Sequence, residues 1–374
     1  MKKSIFGLVA LLAVSSSMAA KPFVEYDKKV EDYLKRIQHG SQTYAYDPSK
    51  DFTTWQTEAR AALIELIGLQ RMRDSLSDFK PHVEMGKAEK IDGQFTRALC
   101  SIETEPGVVI PFYLLIPISD DPEQRFPLML CPHGHDIRGL HSYAGVFEDR
   151  NHEREILEKD GNIAELTARR GYAAIAPATR GLAKEVMIPD PNGRHGNRPC
   201  RAQLMHCLLA GRTPVAERVW DMQCLLDWAE QQPQIDMKRV GMTGNSGGGV
   251  LTAYTAAIDP RIKAAIPSCS FSSATSSTGY IFLCDCCMVP GLRNWGGWRE
   301  IGGLIAPRYL LIVHGKKDHF HSQQAVEETA DAVAEIYKAA GVPDRVKMEW
   351  GPDGHRFYPK IMWPFIETAF GSEN

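Results

Sequence analysis

Runs of basic residues are missing from this 374-residue chain, and with 43 Lys+Arg against 46 Asp+Glu its formal net charge is only -3. That excludes the cationic footprint on which nucleic-acid binding rests. Also missing is any apolar run near the ~20 residues needed to cross a bilayer. No internal repeat or low-complexity tract occurs, so a solenoid or a disordered linker is not read. No G-K-[ST] follows the glycine clusters, which excludes a phosphate loop of that kind. What remains, 44% hydrophobic and 24% charged residues, is ordinary globular composition at a length that suits one large α/β enzyme.

The N-terminus opens with two lysines, then an apolar run of about half a membrane span, then Ser17-Met18-Ala19. That pattern predicts a secretory signal peptide over residues 1–19, cleaved near Ala19, and a secreted or periplasmic protein. No cysteine follows the run closely, so neither a lipid anchor nor a membrane anchor is expected.

An oxidising compartment permits disulfides, and the nine cysteines leave at least one thiol unpaired within the chain. Cys131, Cys224 and Cys269 sit in apolar patterns and read as buried small hydrophobes. Cys200 with Cys207, and the C-D-C-C segment at 284–287, lie in loop-like stretches and are the candidates for pairing. Adjacent ligands suit tetrahedral zinc poorly, and no partner pair for C-D-C-C is obvious along the sequence.

Residues 20–85 read as an N-terminal helical extension, with an amphipathic helix over 52–70, and residues 86–374 as the catalytic domain. From there, apolar strands alternate with helices. Q-F-T-R-A-L-C-S-I, P-F-Y-L-L-I-P-I, P-L-M-L-C-P-H-G-H, Y-A-A-I-A-P-A-T-R, K-R-V-G-M-T, I-K-A-A-I-P-S-C, Y-L-L-I-V-H-G and V-K-M-E-W read as strands. A helix is expected around 152–169, another opening at Thr213-Pro214, and a third from Ser322 to Ala340. This alternation predicts an α/β fold with a mostly parallel central sheet and helices on both faces. Residues 182–212 and 270–303 break the rhythm and read as insertions forming a lid over the carboxyl ends of the strands.

Gly244-Asn245-Ser246-Gly247-Gly248 stands between a strand and a helix and fits G-x-S-x-G, the nucleophile elbow. A serine needs a base, and the base an orienting acid, in the chain order Ser, Asp or Glu, His. Asp318 follows Y-L-L-I-V-H-G and His355 follows V-K-M-E-W, where the mechanism needs them. His319, His321 and Asp353 are the rivals on the same two loops. Backbone N–H groups of Gly247 and of His135, with Gly134 as second choice, are the expected oxyanion hole. H-G-H-D at 133–136 also resembles the H-x-H-x-D-H zinc motif of metallo-hydrolases, but its aspartate is one position early and the closing histidine is missing.

Together, G-N-S-G-G, H-G-H, K-K-D-H and D-G-H resemble the α/β-hydrolases, over residues of about 90 to 370. G-R-T-P-V-A-E-R-V-W-D and A-T-R-G bring the chain nearest to secreted carbohydrate esterases, the acetyl xylan esterase and dienelactone-hydrolase-like branch. The branch carries glutamine after the nucleophile, where this chain has Gly247. The resemblance implies a serine esterase that needs no cofactor and no catalytic metal and removes ester substituents, acetyl first among them, from carbohydrate. Arg180 and Arg198 are candidate substrate contacts; the locally basic loop 193–201, with Arg194, His195, Arg198 and Arg201, could bind a uronic-acid carboxylate, which would favour a methylesterase, or be a solvated loop. Trp295 and Trp298 are candidates to stack on sugar rings or to pack the lid. A serine peptidase of the prolyl-oligopeptidase kind shares the triad, but usually carries a propeller that ~70 residues cannot hold.

Overall fold

The computed structural model describes residues 28–38, 41–194, 198–276, 279 and 281–371. The segment read as a signal peptide lies outside them, as does His195 of the basic loop.

A ten-stranded sheet runs through the molecule: β1 (His82–Glu84), β2 (Glu89–Ile91), β3 (Phe95–Glu105), β4 (Val108–Pro117), β5 (Phe126–Leu130), β6 (Ala173–Pro177), β7 (Ile235–Asn245), β8 (Ala264–Ser268), β9 (Tyr309–Gly315) and β10 (Val346–Gly351). The order is β1-β3-β4-β6-β5-β7-β8-β9-β10, with β2 also on β3. The pairs from β6 to β10 are parallel, while β3 and β4 form an antiparallel hairpin and β4 runs antiparallel to β6. The parallel strands are short and apolar because both faces are covered; every residue of β6 and of β8 is buried. The chain leaves β5 for β6 on one side and returns to β7 on the other. β5 is therefore the switch point, beside which open α/β sheets hold their ligands.

Helices Pro214–Ala229, Gly247–Ile258, Trp298–Ile305 and Gln323–Ala339 pack together over one face. The stripe Val215, Val219, Met222, Leu226 and Ala229 is buried as its spacing predicts, at about 1.5–3 kcal/mol for each large side chain. Thr213 caps that helix by accepting from the Ala216 N–H, with Pro214 at its first position. Helices Ile163–Arg169 and Pro359–Gly371 cover the sheet elsewhere.

Two helices end sooner than their periodicity suggests. The N-terminal helix stops at Ile67 because Gly68 turns left-handed (φ 83°), and a separate turn of helix, Leu69–Ser75, follows. Its face of Trp55, Ala59, Leu63 and Ile67 is buried against the helices Gly247–Ile258 and Trp298–Ile305. The expected helix over 152–169 is two, Arg150–Glu158 and Ile163–Arg169, broken around Gly161-Asn162.

Candidate active site

The carboxyl ends of the parallel strands carry the candidate residues to one side of the sheet. β7 ends at Asn245, and Ser246 takes φ 59° and ψ −121°, a conformation that L-residues adopt only under constraint. Two glycines make this turn possible by contact rather than by flexibility. A Cβ on Gly244 would lie 2.3 Å from the Pro132 carbonyl oxygen, and one on Gly248 only 2.0 Å from it. Helix Gly247–Ile258 starts directly after Ser246, so the Gly247 N–H has no acceptor of its own.

The loop after β5 lies against this turn. A Cβ on Gly134 would come within 3.0 Å of Gly247 N and Ser246 Cβ. His133 fixes the loop from below. Its Nε2 accepts from the Thr179 N–H at 2.9 Å, so its Nδ1 carries the hydrogen and donates to the Gly134 carbonyl at 2.8 Å. Burial holds the ring's pKa down to about 4, so it stays neutral. Because C=O and N–H of a trans peptide point oppositely, anchoring the Gly134 carbonyl turns the His135 N–H away from His133, and it meets no protein acceptor among the described residues. With both His133 nitrogens occupied, H-G-H-D does not assemble as a metal motif.

Asp318 and His355 meet across 37 residues of sequence, His355 Nδ1 donating to Asp318 Oδ2 at 2.8 Å. Burial works against the Asp318 charge, but the His355 contact and the Phe320 N–H outweigh it and hold the carboxyl down at about 2. None of the rivals hydrogen-bonds to this pair, although His321 lines the same cavity as His355. His321 is pushed down to about 4 by burial, His319 stacks on Phe320, and Asp353 reaches Lys317 and Arg356 at 3.8 Å each. Cys269, also at positive φ (49°), lies close to both Asp318 and His355; burial pushes its thiol up to about 12, so it remains protonated.

Ser246, Gly247, His135 and His355 line one cavity of about 950 Å³. Among the described residues no hydrogen bond joins Ser246 to His355 in this conformation. Both insertions contribute to the wall, Arg198 to Cys200 from one and Phe282 to Cys284 with Cys287 from the other, together with Ile137, Ile156, Phe320 and Phe357.

Three expected substrate contacts are corrected. Arg180 is buried (4% exposed) and committed to protein carboxylates: it pairs with Glu105 and Asp221, donates to Thr104 Oγ1 at 3.1 Å and lies 3.8 Å from Glu217. Trp295 is buried with Nε1 donating to the Ala59 carbonyl at 3.1 Å. Trp298 is buried edge-on to Phe271 and Tyr254. The two tryptophans pack the insertion onto the body. Arg198 does reach the cavity wall, is exposed, and has no carboxylate partner among the described residues.

The cysteine expectation is corrected too. All nine are free thiols; Cys200 faces Cys284 instead of Cys207, and the C-D-C-C segment has partners after all, in Cys200 and His135.

Residues 154–276 match the Dienelactone hydrolase family model. YtaP of Bacillus subtilis (strain 168), whose name assigns it only as a hydrolase, is 26% identical over 156 residues, 40% of this chain and 50% of YtaP. The chain thus spans about half, or less, of the length of the curated relatives it matches. A Bacteroides fragilis structure provisionally titled an acetyl xylan esterase superposes with TM-score 0.67 at 19% identity, over 90% of this chain and 83% of that one. Methylesterase BT1017 superposes with TM-score 0.64 at 21% identity, over 92% and 69%. The fold is that of the α/β-hydrolases, as the sequence resemblance implied.

Proposed function

We propose that this protein is an exported serine carboxylic-ester hydrolase that removes ester substituents, acetyl first among them, from carbohydrates. One observation carries the reading: a serine strained at φ 59° lines the same cavity as a histidine held at 2.8 Å by a buried carboxylate.

Ser246 Oγ attacks the ester carbonyl while His355 Nε2 takes its proton, and Asp318, bonded to Nδ1, stabilises the imidazolium that forms. The oxyanion is received by the N–H groups of Gly247 and His135. His355 then gives its proton to the leaving sugar oxygen. Water, deprotonated by the same nitrogen, releases the acid and restores Ser246. The hydrogen bond between Ser246 and His355 forms in the Michaelis complex, as is usual for catalytic pairs.

A second reading concerns the acyl side. Arg198, exposed on the cavity wall with no carboxylate partner among the described residues, favours a uronate-containing polymer whose free carboxylates flank the methyl-esterified residue that is cleaved. The likeness to a methylesterase is in keeping with it. Acetate release from acetylated xylan and methanol release from methyl-esterified pectin, each compared with Ser246→Ala, separate the two. Neither product from either polymer, by a variant-sensitive esterase, would remove the carbohydrate assignment.

A further inference from the structure

Three separate parts of the chain bring sulfur and imidazole together beside the cavity. His135 comes from the loop after β5, Cys200 from the first turn of helix Pro199–Leu209, and Cys284 and Cys286 from the turn Asp285–Cys287 and its cap. His135 Nε2 lies 3.2 Å from Cys284 Sγ and 3.6 Å from Cys286 Sγ, while Cys284 Sγ lies 3.6 Å from Cys200 Sγ. All four atoms fall within 4.8 Å of one another. A tetrahedral zinc ion, with Zn–S near 2.3 Å and Zn–N near 2.0–2.1 Å, spaces its ligand atoms by about 3.5–3.8 Å. The cluster has those dimensions and that chemistry.

The surroundings supply the matching charge. Three thiolates and a neutral imidazole around a dication leave a net charge of −1. Arg218 is buried beside them (2% exposed), its Nη1 donating to the Cys286 carbonyl at 3.3 Å. Its other bonds go to the Arg180 carbonyl at 2.8 Å and Gln203 Oε1 at 3.0 Å; among the described residues no carboxylate is within ion-pair distance of it, and the nearby acid Glu217 is already held by Arg212, Gln203 and Arg180. A buried guanidinium is costly without a neighbouring negative charge, and a three-thiolate metal site provides one.

We infer that His135, Cys200, Cys284 and Cys286 form a zinc site that fastens both inserted loops to the loop after β5. Four protein ligands leave the ion no open position, so its part is structural and the ester chemistry stays with the serine. His135 is exposed, which gives the ion a way in. The site would also hold the backbone that bears the second oxyanion donor. That last consequence rests on the function proposed above; the metal site does not.

The test uses the whole wild-type chain purified in parallel with and without reductant, its zinc measured by mass spectrometry as isolated and again after excess zinc and gel filtration, and its free thiols counted in the sample that saw no reductant. One zinc per chain is expected. Exchange with cobalt(II) should give thiolate-to-cobalt charge-transfer absorption and tetrahedral d–d bands that saturate at one equivalent and vanish on adding zinc. His135→Ala and Cys286→Ala should bring the stoichiometry near zero, while Cys131→Ala, a buried cysteine outside the cluster, keeps it at one. Should a variant fail to fold, the wild-type cobalt spectrum decides. Folded wild type that takes up no metal, or that carries a Cys200–Cys284 disulfide, would overturn the inference. An intact zinc count with no esterase activity would leave the site standing and count against the proposed function alone.

Discussion

The carbonyl oxygen of Pro132 faces Gly248 so closely that a methyl group on that glycine would lie 2.0 Å from it. Pro132 follows β5 and Gly248 stands in the first turn of the helix after β7, so the contact joins two adjacent strands at the end where Ser246 is displayed. The glycines of the elbow are there to let backbone meet backbone.

Gly248→Ala therefore forces the turn apart. We expect a loss of about 3 kcal/mol or an insoluble product, read from urea unfolding. Gly371→Ala, where a Cβ would meet nothing within 4 Å, should be neutral.

Asp318→Asn separates charge from shape. The carboxyl is held down at about 2, so its ionised form favours the native state. That stability is fully present above the unfolded-state pKa near 4 and is lost as pH falls through about 2. The variant should be less stable by about 2 kcal/mol at pH 7, with the difference closing between about pH 4 and pH 2 in pH-dependent denaturation. At neutral pH kcat should fall by about 10³–10⁴ through loss of imidazolium stabilisation.

The two arginines first read as substrate contacts should now part company. Arg180→Met leaves Asp221 buried without an ion partner and Glu105 with Arg212 alone, which costs about 3–5 kcal/mol and acts on Tm. Arg198→Met should leave Tm unchanged and raise KM for uronate-bearing esters alone, a split seen by comparing charged and neutral substrates.

Trp298→Ala should destabilise by about 3–5 kcal/mol, since the ring fills space between Phe271 and Tyr254, whose centroids lie 5.1 and 5.7 Å away. KM of the protein that remains folded should not change, measured under conditions where the variant is still native.

The sheet was readable because buried parallel strands announce themselves as short apolar runs between turn residues, and Ser246 because its glycines sit at fixed offsets from it. Asp318 and His355 stood out for a similar reason: each follows directly on its strand. What the chain did not disclose depended on partners distant in sequence. The tryptophans sit among polar and glycine-rich neighbours that suggest exposure, and Arg180 is a charge at the end of an apolar strand; only the folded structure shows the rings and carboxylates around them. The His135–cysteine cluster was hidden for the same reason, since its members lie as far as 151 residues apart. Gly68 alone decided where the first long helix ends, through a left-handed φ that periodicity does not register.

The central claim is that Ser246 is the nucleophile. A fluorophosphonate probe followed by peptide mass spectrometry tests it most directly, because the adduct marks the reacting oxygen. The account predicts one phosphonyl group per chain on the peptide bearing Ser246, and none in folded Ser246→Ala. An adduct on Ser142 or Ser270, the other serines lining the cavity, or no adduct on a protein that still hydrolyses esters, would contradict it.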